Sequence, residues 1–394
     1  MQILSANETK KTKKRVFVIS RSKFPRGDAA ANYIQYFSLA LMEAGYEVVV
    51  IGKGAVSGVK TGETNCGISY ILFDEKNANS LGSSDQIKPI LVFYHASQDD
   101  LYVFYYSDYF LMNYCAKKYS SKNVFFIRVE DMQPYQYKIN FLTPRYLYYR
   151  LGVEFAWKRL SGIFSISSRL VMQDRKHGCD SMRLPIMADT HEFCWMPDKC
   201  SSGTISFIYP GMKVNGYEDD FEAMFSALGQ LSDLEKKKIT VHITGTSKEK
   251  IQGYIDEQIW KEVEDTLVIH GYISYDELVE IYLNSDFLLL PRKINNITKA
   301  NFPSKIPELM SFGIIPVCTD VGDYTKIYLN DTNAIIMSET GVDACLQGIR
   351  KAIKMSARER AEMRNNARKL AEDEFDFRHW SKKIDAFLNK KSAE

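Results

Sequence analysis

A lysine and a glutamate lie three residues apart in the segment FPSKIPELM, residues 302–310, which follows a short apolar run ending at Arg292. Pro303 and Ser304 predict that a helix begins here. Free backbone N–H groups and the positive end of the helix dipole meet at a helix start, so that position suits an anion. Lys305 adds a cation, and Glu308, one turn further along, adds an acceptor for hydroxyl groups. The pattern predicts a nucleotide-diphosphate site; the alternative is an ordinary capped helix of a βαβ unit.

Alternating apolar patterns predict the elements that would position these side chains. Short apolar runs, typical of buried parallel strands, alternate with stretches of helical spacing. Predicted strands lie at residues 15–20, 47–51, 68–72, 101–105, 123–128, 162–166, 205–209, 239–244, 266–270, 287–290, 314–318 and 333–336. Predicted helices lie at residues 29–41, about 143–160, 219–231, 275–284, 303–312 and 358–393. This order predicts an α/β fold of two Rossmann-like, doubly wound domains that face a cleft.

The two predicted domains meet in a loop. Residues 190–204 contain a proline and a Ser-Ser-Gly run, a composition typical of a hinge. The sequence therefore predicts an N-terminal domain at 1–195 and a C-terminal domain at 196–375. The last helix, at about 376–394, is expected to return toward the N-terminal domain. A chain of 394 residues is too long for one hydrophobic core, which agrees with this division.

Composition argues against several classes of protein. No run of about 18 apolar residues is present, so no transmembrane helix is predicted. The polar, lysine-rich first 15 residues lack the apolar core of a secretory signal. Seven irregularly spaced cysteines and six scattered histidines predict neither a disulfide framework nor a metal site. No dense basic run with interleaved aromatics predicts nucleic-acid binding. We expect a cytoplasmic protein without a metal or a cofactor.

The net charge of +2 hides an asymmetry between the two halves. Residues 1–195 hold 25 Lys and Arg against 18 Asp and Glu, a net +7, whereas the remainder holds 26 against 31, a net −5. A basic first half favours an anionic partner there. The predicted helix at about 143–160 is rich in Tyr, Arg and Lys and could lie on the inner face of a membrane. The alternative is a helix that is half core and half solvated face.

An ordered series of segments resembles a known family. The matching segments are YPG (209–211), VHITG (241–245), GYI (271–273), LLLPR (288–292), FPSK (302–305), ELM (308–310) and TDVGD (319–323). Together with the opening βαβ pattern, they resemble the GT-B glycosyltransferases of the family 4 type, especially the bacterial surface-polysaccharide branch. The resemblance covers most of the chain and is strongest from about residue 205 to 336.

The resemblance implies an activity. Such enzymes transfer a sugar from a nucleotide-diphosphate sugar to a hydroxyl group, with retention at the anomeric carbon and without a metal ion. They bind the donor in the C-terminal domain and the acceptor in the N-terminal domain. We expect UDP or GDP as the donor nucleotide and a glycan or lipid-linked glycan as the acceptor, in the synthesis of a cell-surface polysaccharide or glycoconjugate.

The resemblance also suggests which cations would stabilise the leaving diphosphate. Lys305 and Lys213 are the first candidates, because fixed cations aimed at the developing charge on the β-phosphate lower the barrier. The family usually has an arginine and a lysine in the loop that holds Lys213, and this loop has no arginine. Arg292, at the carboxyl end of a predicted strand, is the candidate substitute.

On the donor side, Glu308 resembles the second glutamate of the family's two-glutamate motif, which holds the ribose. The first glutamate, which would contact the donor sugar, should lie eight residues earlier, where this chain has Ala300. The backbone near Asn301 is expected to take over some of those contacts. Tyr272 and Ile273 would lie along the edge of the base. The donor-side candidates, besides Glu308, are Gly27, Gly211, Tyr272, Ile273, Asn301, Phe302, Pro303 and Ser304.

The donor-side candidate Gly27 and the acceptor-side candidates lie in the first half of the chain. Gly27 lies in the first predicted loop, where close backbone approach to a phosphate or sugar needs a residue without Cβ. Arg26 and Asn32 could add hydrogen-bond donors there. Glu130 and Asp131, just after a predicted strand, are candidate acceptor contacts or a base, with an ordinary surface turn as the alternative.

Two other functions remain open at this point. One is a nucleotide-sugar epimerase of the same architecture, and the other is a catalytically silent module that binds a nucleotide or sugar. Two features favour the silent module. Ala300 stands where the family has its first glutamate, and the loop of Lys213 lacks the arginine that the family usually has there. Turnover separates the three, because an epimerase changes the donor without an acceptor and a silent module changes nothing.

Overall fold

The structure is a computed structural model that describes residues 14–25, 28–74, 83–105, 109–129, 147, 150, 157–192, 203–214 and 216–390. Its strands form two separate sheets, one of eight strands and one of six, in the described part of the chain. None of the helices in these ranges is long and apolar enough to cross a membrane.

The first sheet lies in the N-terminal half and has the order β3-β4-β2-β1-β5-β6-β7-β8. Its strands are β1 Arg15–Lys23, β2 Glu47–Gly54, β3 Val59–Glu63, β4 Ser69–Asp74, β5 Leu101–Tyr105, β6 Val124–Arg128, β7 Gly162–Ser165 and β8 Ser181–Arg183. All neighbours are parallel except the antiparallel pair β3 and β4. The accompanying helical segments are Ala29–Glu43, Ser83–Phe93, Tyr109–Cys115, Ala116–Ser120, Ser121–Asn123, Trp157–Arg159 and Ser168–Lys176.

The second sheet is wholly parallel and has the order β11-β10-β9-β12-β13-β14. Its strands are β9 Ile205–Tyr209, β10 Ile239–Thr244, β11 Leu267–Gly271, β12 Phe287–Leu290, β13 Ile315–Thr319 and β14 Ile335–Met337. Its helical segments are Phe221–Gly229, Asp233–Lys236, Lys248–Gln252, Glu257–Val263, Glu264–Thr266, Tyr275–Leu283, Lys305–Met310, Tyr324–Tyr328, Val342–Lys354, Ala357–Leu370 and Ala371–Phe375. The predicted fold of two Rossmann-like α/β domains is confirmed. The boundary predicted at residue 195 lies outside the described residues and stays a prediction.

The last helix, Phe377–Asn389, returns to the first sheet, as the sequence predicts. The Phe387 ring lies 5.0 Å from that of Phe164 and 6.2 Å from that of Phe125, on β7 and β6. The crossing is fixed by backbone hydrogen bonds: Ala188 N–H donates to Phe375 O (2.9 Å) and Phe377 N–H donates to Ala188 O (3.1 Å). The C-terminal segment thus binds both domains together.

The prediction of one long helix over residues 358–393 is wrong. The structure ends one helix at Leu370, continues through the short segment Ala371–Phe375, and starts another at Phe377. Asp376 breaks the helix with an extended backbone (φ −64°, ψ 129°), and its carboxylate caps the next helix by accepting from Arg378 N–H. Pairing with the distant Ala188 holds this break in place.

The predicted helix at about 143–160 lies mostly outside the described residues. Its described end, Trp157–Arg159, is a single turn in which Trp157 is buried. The Trp157 ring packs 5.1 Å from the Phe126 ring and under the guanidinium of Arg128, at 5.0 Å. Trp157 is therefore a core residue, whereas Lys158 and Arg159 are exposed.

The two domains touch near the carboxyl ends of their strands. Ser167 Oγ, at the start of the helix Ser168–Lys176, donates to the carbonyl of Ala300 at 2.5 Å. Ser168 N–H donates to Asp323 Oδ2 at 2.6 Å, so a carboxylate of the second domain caps a helix of the first. These contacts place the loop before Phe302 beside the N-terminal domain.

Candidate functional site

The site residues sit on loops at the carboxyl ends of β9 and β12, the edge where doubly wound sheets bind ligands. Two hydrogen bonds join these loops: Lys293 N–H donates to Glu218 O (2.8 Å) and Asp220 N–H donates to Pro291 O (2.9 Å). Both strands are buried and mostly apolar, and a proline follows each of them directly, Pro210 after β9 and Pro291 after β12. The pairing fixes the backbone on which the polar side chains stand.

Lys305 begins the helix Lys305–Met310, close to the predicted helix start. It is half-buried, and its ammonium lies 4.9 Å from the centre of the Tyr209 ring at the end of β9. Burial lowers the pKa of Lys305, an effect that nearby Asp219 opposes. Ser304 has helical backbone and makes no capping hydrogen bond with its side chain. Lys305 is therefore the cation of the first turn of this helix.

Glu308 lies one turn after Lys305 and is also half-buried. Tyr282, on the helix Tyr275–Leu283, donates its hydroxyl to Glu308 Oε1 at 3.3 Å. Burial raises the pKa of Glu308 to about 7, although the Tyr282 bond and Lys305 act in the opposite direction. The carboxyl can therefore exchange a proton near neutral pH.

The N-terminal domain approaches this turn through Tyr36 on the helix Ala29–Glu43. The Tyr36 hydroxyl donates to Glu192 Oε2 at 3.4 Å. Its pKa is well above the usual value because the ring is buried and because Glu192, Tyr275 and Glu308 are nearby. Tyr36 and Glu192 of the N-terminal domain thus lie near Glu308, which the sequence alone did not indicate.

Arg292 has its guanidinium among carboxylates. Its side chain is only 1% exposed, and Nη2 lies 2.8 Å from Glu218 Oε2 while Nε lies 3.4 Å from Asp219 Oδ1. Its backbone N–H donates to Thr319 Oγ1 at 2.9 Å. Asp219 also accepts from the Tyr209 hydroxyl. Contact between Arg292 and a diphosphate stays a prediction, and the structure gives it a second task as counter-ion of two acidic side chains.

Three glycines bring the other loops of this edge together. Gly211 has a left-handed backbone (φ +62°), and its N–H donates to Thr244 Oγ1 at 3.0 Å. A Cβ on Gly245 would lie 2.7 Å from the Gly211 Cα, so only glycine fits there. Gly245 N–H donates to Gly271 O at 2.6 Å. The exposed Lys213 follows directly after this junction.

The remaining donor-side candidates divide by exposure. Tyr272 is 78% exposed, with the Lys250 ammonium 5.7 Å from its ring centre, and Ile273 is half-buried. Asn301 is buried and donates from Nδ2 to Glu218 Oε1 at 2.9 Å. The Phe302 ring is buried against those of Tyr324, Tyr328 and Phe375 at 5.8 to 6.0 Å, so only its backbone can meet a ligand. Pro303 and Ser304 are half-buried at the start of the helix.

The donor-side candidate Gly27 and the acceptor-side candidates Arg26, Glu130 and Asp131 lie outside the described residues. Asn32 lies in the first turn of the helix Ala29–Glu43 and is half-buried. Among the described residues, no group of three or more His, Cys, Asp or Glu is arranged to hold a metal ion. The roles of these residues and the absence of a metal stay predictions.

Four residues of this site were not among the candidates predicted from the sequence: Glu218, Asp219, Tyr209 and Tyr282. The acidic run Glu218-Asp219-Asp220, directly after a buried strand and a glycine loop, is the signal that could have indicated the first two. Nothing in the sequence links Glu218 to Arg292, which lies 74 residues away.

Comparison with known proteins adds a second line of evidence. Residues 215–370 match the family model for glycosyl transferases group 1. The chain has the GT-B fold. The matched segment contains Glu218, Arg292, Lys305 and Glu308, and therefore most of the charged cluster. The match covers less than half of the chain and lies within the second domain.

Solved GT-B structures resemble the whole chain. Sucrose-phosphate synthase from Thermosynechococcus elongatus superposes with a TM-score of 0.74 at 12% identity, over 97% of this chain and 100% of its own. Anabaena HepE in complex with UDP gives 0.66 at 13%, over 95% and 100%. WaaG, a glycosyltransferase involved in lipopolysaccharide biosynthesis, gives 0.66 at 14%, over 95% and 99%. At such identities the similarity shows the fold alone. No curated protein sequence matches this chain.

Proposed function

We propose that the protein is a glycosyltransferase that moves a sugar from a nucleotide-diphosphate sugar to a hydroxyl group of an acceptor. The observation that supports this best is the placement of Lys305 and Glu308 one helical turn apart. Both are half-buried at the ligand-binding edge of a GT-B donor domain. The first offers a cation to phosphate, and the second offers a carboxylate to ribose hydroxyls.

Lys305 stabilises the leaving group in this proposal. As the bond from the anomeric carbon to the phosphate oxygen breaks, negative charge grows on the β-phosphate. A lysine that is already desolvated interacts strongly with that charge, because little water screens it. Loss of one such group costs roughly 3 kcal/mol of transition-state stabilisation in comparable sites. Lys213 is exposed beside the Gly211 loop and would reach the diphosphate from the other side.

The finer features of the reaction are also part of the proposal. We infer retention at the anomeric carbon, independence of a metal ion, and membership of the family 4 type. The N-terminal domain would bind the acceptor through Arg26, Asn32, Glu130 and Asp131. UDP or GDP is the proposed nucleotide, and the UDP bound by HepE favours UDP.

The proposed setting is the cytoplasm, at the inner face of the membrane, in the synthesis of a cell-surface polysaccharide or glycoconjugate. The role of WaaG in lipopolysaccharide biosynthesis supports this choice. The acceptor would be a glycan or a lipid-linked glycan. The net charge of +7 on residues 1–195 suits contact with an anionic membrane surface.

A silent nucleotide-binding module is the second candidate. Ala300 offers no carboxylate to a donor sugar, and Arg292 is already paired with Glu218 and Asp219. Such a module would bind the nucleotide sugar without releasing the nucleotide.

Turnover decides between the candidates. UDP and GDP sugars are incubated with the protein and a panel of glycan and lipid-linked acceptors, and released nucleotide is measured. The transferase proposal expects acceptor-dependent release that falls about 100-fold in Lys305→Ala and is unchanged in Lys326→Ala, which alters an exposed lysine of the same domain. Acceptor-independent change of the sugar would indicate an epimerase, and binding without any change would indicate the silent module.

A further inference from the structure

We propose that Glu218 recognises hydroxyl groups of the donor sugar and so sets donor specificity. The inference rests on the proposed function and names a residue for its sugar subsite. Glu218 lies between β9 and the helix Phe221–Gly229, at the same strand edge as Lys305.

The carboxylate of Glu218 is held by hydrogen bonds and is nevertheless accessible to solvent. Its Oε2 lies 2.8 Å from Arg292 Nη2 and its Oε1 accepts from Asn301 Nδ2 at 2.9 Å. These two donors fix both carboxylate oxygens, and the bond from Lys293 N–H to the Glu218 carbonyl fixes the backbone. The side chain is nevertheless 47% exposed, whereas that of Arg292 is 1% exposed. An ionised carboxylate has about four lone-pair sites, and two are used here, so two remain for a ligand.

The neighbouring polar atoms indicate which ligand chemistry fits. Arg292 Nη1 and Asn301 Oδ1 are buried and have no hydrogen-bond partner among the described residues. Arg292 Nη1 is a donor and needs an acceptor, whereas Asn301 Oδ1 is an acceptor and needs a donor. A hydroxyl group can be either, whereas an ionised phosphate can only accept. Glu218 itself accepts from hydroxyls and repels phosphate. The cluster therefore suits the uncharged, hydroxyl-rich part of a nucleotide sugar, with the diphosphate at Lys305.

The guanidinium of Arg292 has another carboxylate beside it, which is more deeply buried than that of Glu218. Asp219 already lies 3.4 Å from the Arg292 guanidinium and accepts from Tyr209, and its side chain is only 13% exposed. Asp219 is thus the buried counter-ion. Glu218 adds a second, half-exposed carboxylate to the same arginine, as expected of a group that meets a ligand.

The test compares affinities for a nucleotide and for its sugar conjugate. Calorimetric titrations use UDP with UDP-glucose, and GDP with GDP-mannose, on wild type, Glu218→Gln and Glu218→Ala. Glu222→Ala is the control, because it alters an exposed glutamate in the next turn of chain. We expect unchanged affinity for the bare diphosphate and about 10- to 100-fold weaker binding of the sugar conjugate in the Glu218 variants, the range for losing hydrogen bonds to a charged group. Circular dichroism and urea unfolding verify that the variants are folded.

Deoxy analogues of the bound sugar conjugate sharpen the test. Removing the hydroxyl that meets Glu218 should weaken binding roughly tenfold in wild type and hardly at all in Glu218→Ala. Equal loss for the diphosphate and its conjugate, or no loss at all, would overturn the inference. Tighter diphosphate binding in the variants would do so too, because Glu218 would then be an internal anion that occupies the phosphate position. Failure of the proposed function looks different: wild type itself would bind neither member of any pair.

Discussion

The ammonium group of Lys305 lies 4.9 Å from the centre of the Tyr209 ring, and the hydroxyl of that same ring donates to Asp219. Tyr209 ends β9, whereas Lys305 starts a helix almost a hundred residues later. The ring thus joins the lysine to the carboxylates around Arg292. It lies beside the cation, which is near the acidic groups Asp219 and Glu218.

Replacing Tyr209 should separate the two functions of its side chain. Tyr209→Phe keeps the ring under Lys305 and loses the bond to Asp219, whereas Tyr209→Leu loses both. A cation over an aromatic face contributes about 0.5–2 kcal/mol. We expect kcat/KM for donor turnover to fall further in Tyr209→Leu than in Tyr209→Phe. Equal values in the two variants would show that the ring does not position Lys305.

Arg292 should be the most sensitive of these residues for stability. Arg292→Met leaves Glu218 and the buried Asp219 without their cation, and breaking a buried pair costs about 3–5 kcal/mol. Arg350→Ala is the matched control. It breaks the partly exposed pair with Glu235, 2.9 Å long, and should cost under about 1 kcal/mol. Urea unfolding measures both. Similar small losses would mean that Arg292 is not a counter-ion in solution.

The protonation of Glu308 should make stability depend on pH. Its pKa rises from 4.5 to about 7 on folding, so the folded state holds the proton more tightly than the unfolded chain. That contribution is fully present below pH 4.5 and is lost as pH rises through 7. Relative to Glu308→Gln, wild type should lose up to about 3 kcal/mol between pH 4.5 and 7.5. Parallel stability curves for the two proteins would contradict the assignment.

The same carboxyl should make nucleotide affinity depend on pH in the opposite direction. The ionised form accepts two ribose hydroxyls, whereas the protonated form must give up part of that capacity. We expect the diphosphate to bind more tightly at pH 8 than at pH 6 in wild type, beyond the change due to the phosphate's own ionisation. Glu308→Gln supplies that baseline. An identical pH dependence in both proteins would remove Glu308 from the ribose site.

Gly245 should be intolerant of a side chain. Its φ of +81° is strained for an alanine, and the added Cβ would lie 2.7 Å from the Gly211 backbone. Gly245→Ala should cost about 2 kcal/mol or more and weaken nucleotide binding by moving the Gly211 loop. Gly253→Ala is the control, because its Cβ would lie 3.4 Å from Glu249 O and its φ is −74°; its effect should stay within about 1 kcal/mol. Thermal unfolding and calorimetry check both.

The sequence predicted the strands that are buried on both faces because such strands have continuous apolar runs, as in β9 and β12. It missed β3, whose residues VKTGE have no apolar pattern and which forms only by pairing with β4. It also missed the break at Asp376, because that break depends on pairing with Ala188, which is distant along the chain. Local sequence patterns predict helices and strands, but they do not show which distant residues pair with them.

The same limit applies to the site. Lys305 and Glu308 were predicted because both lie in one short helical segment with a recognisable start. The surroundings of Arg292 were not, since Glu218 and Asp219 come from a loop on a different strand. The glycine junction was not predicted: Gly211 was named only as a donor-side candidate, and its close approach to Gly245 exists only in three dimensions.

The most direct test of the account is a calorimetric titration of UDP and GDP into wild type, Lys305→Ala and Lys326→Ala. We expect wild type and Lys326→Ala to bind one of the two diphosphates equally well, and Lys305→Ala to bind it roughly tenfold or more weakly, as for a lost charge-assisted hydrogen bond. That result would place the diphosphate at Lys305. Equal binding by all three proteins, or no binding of either diphosphate by wild type, would contradict the proposed donor site.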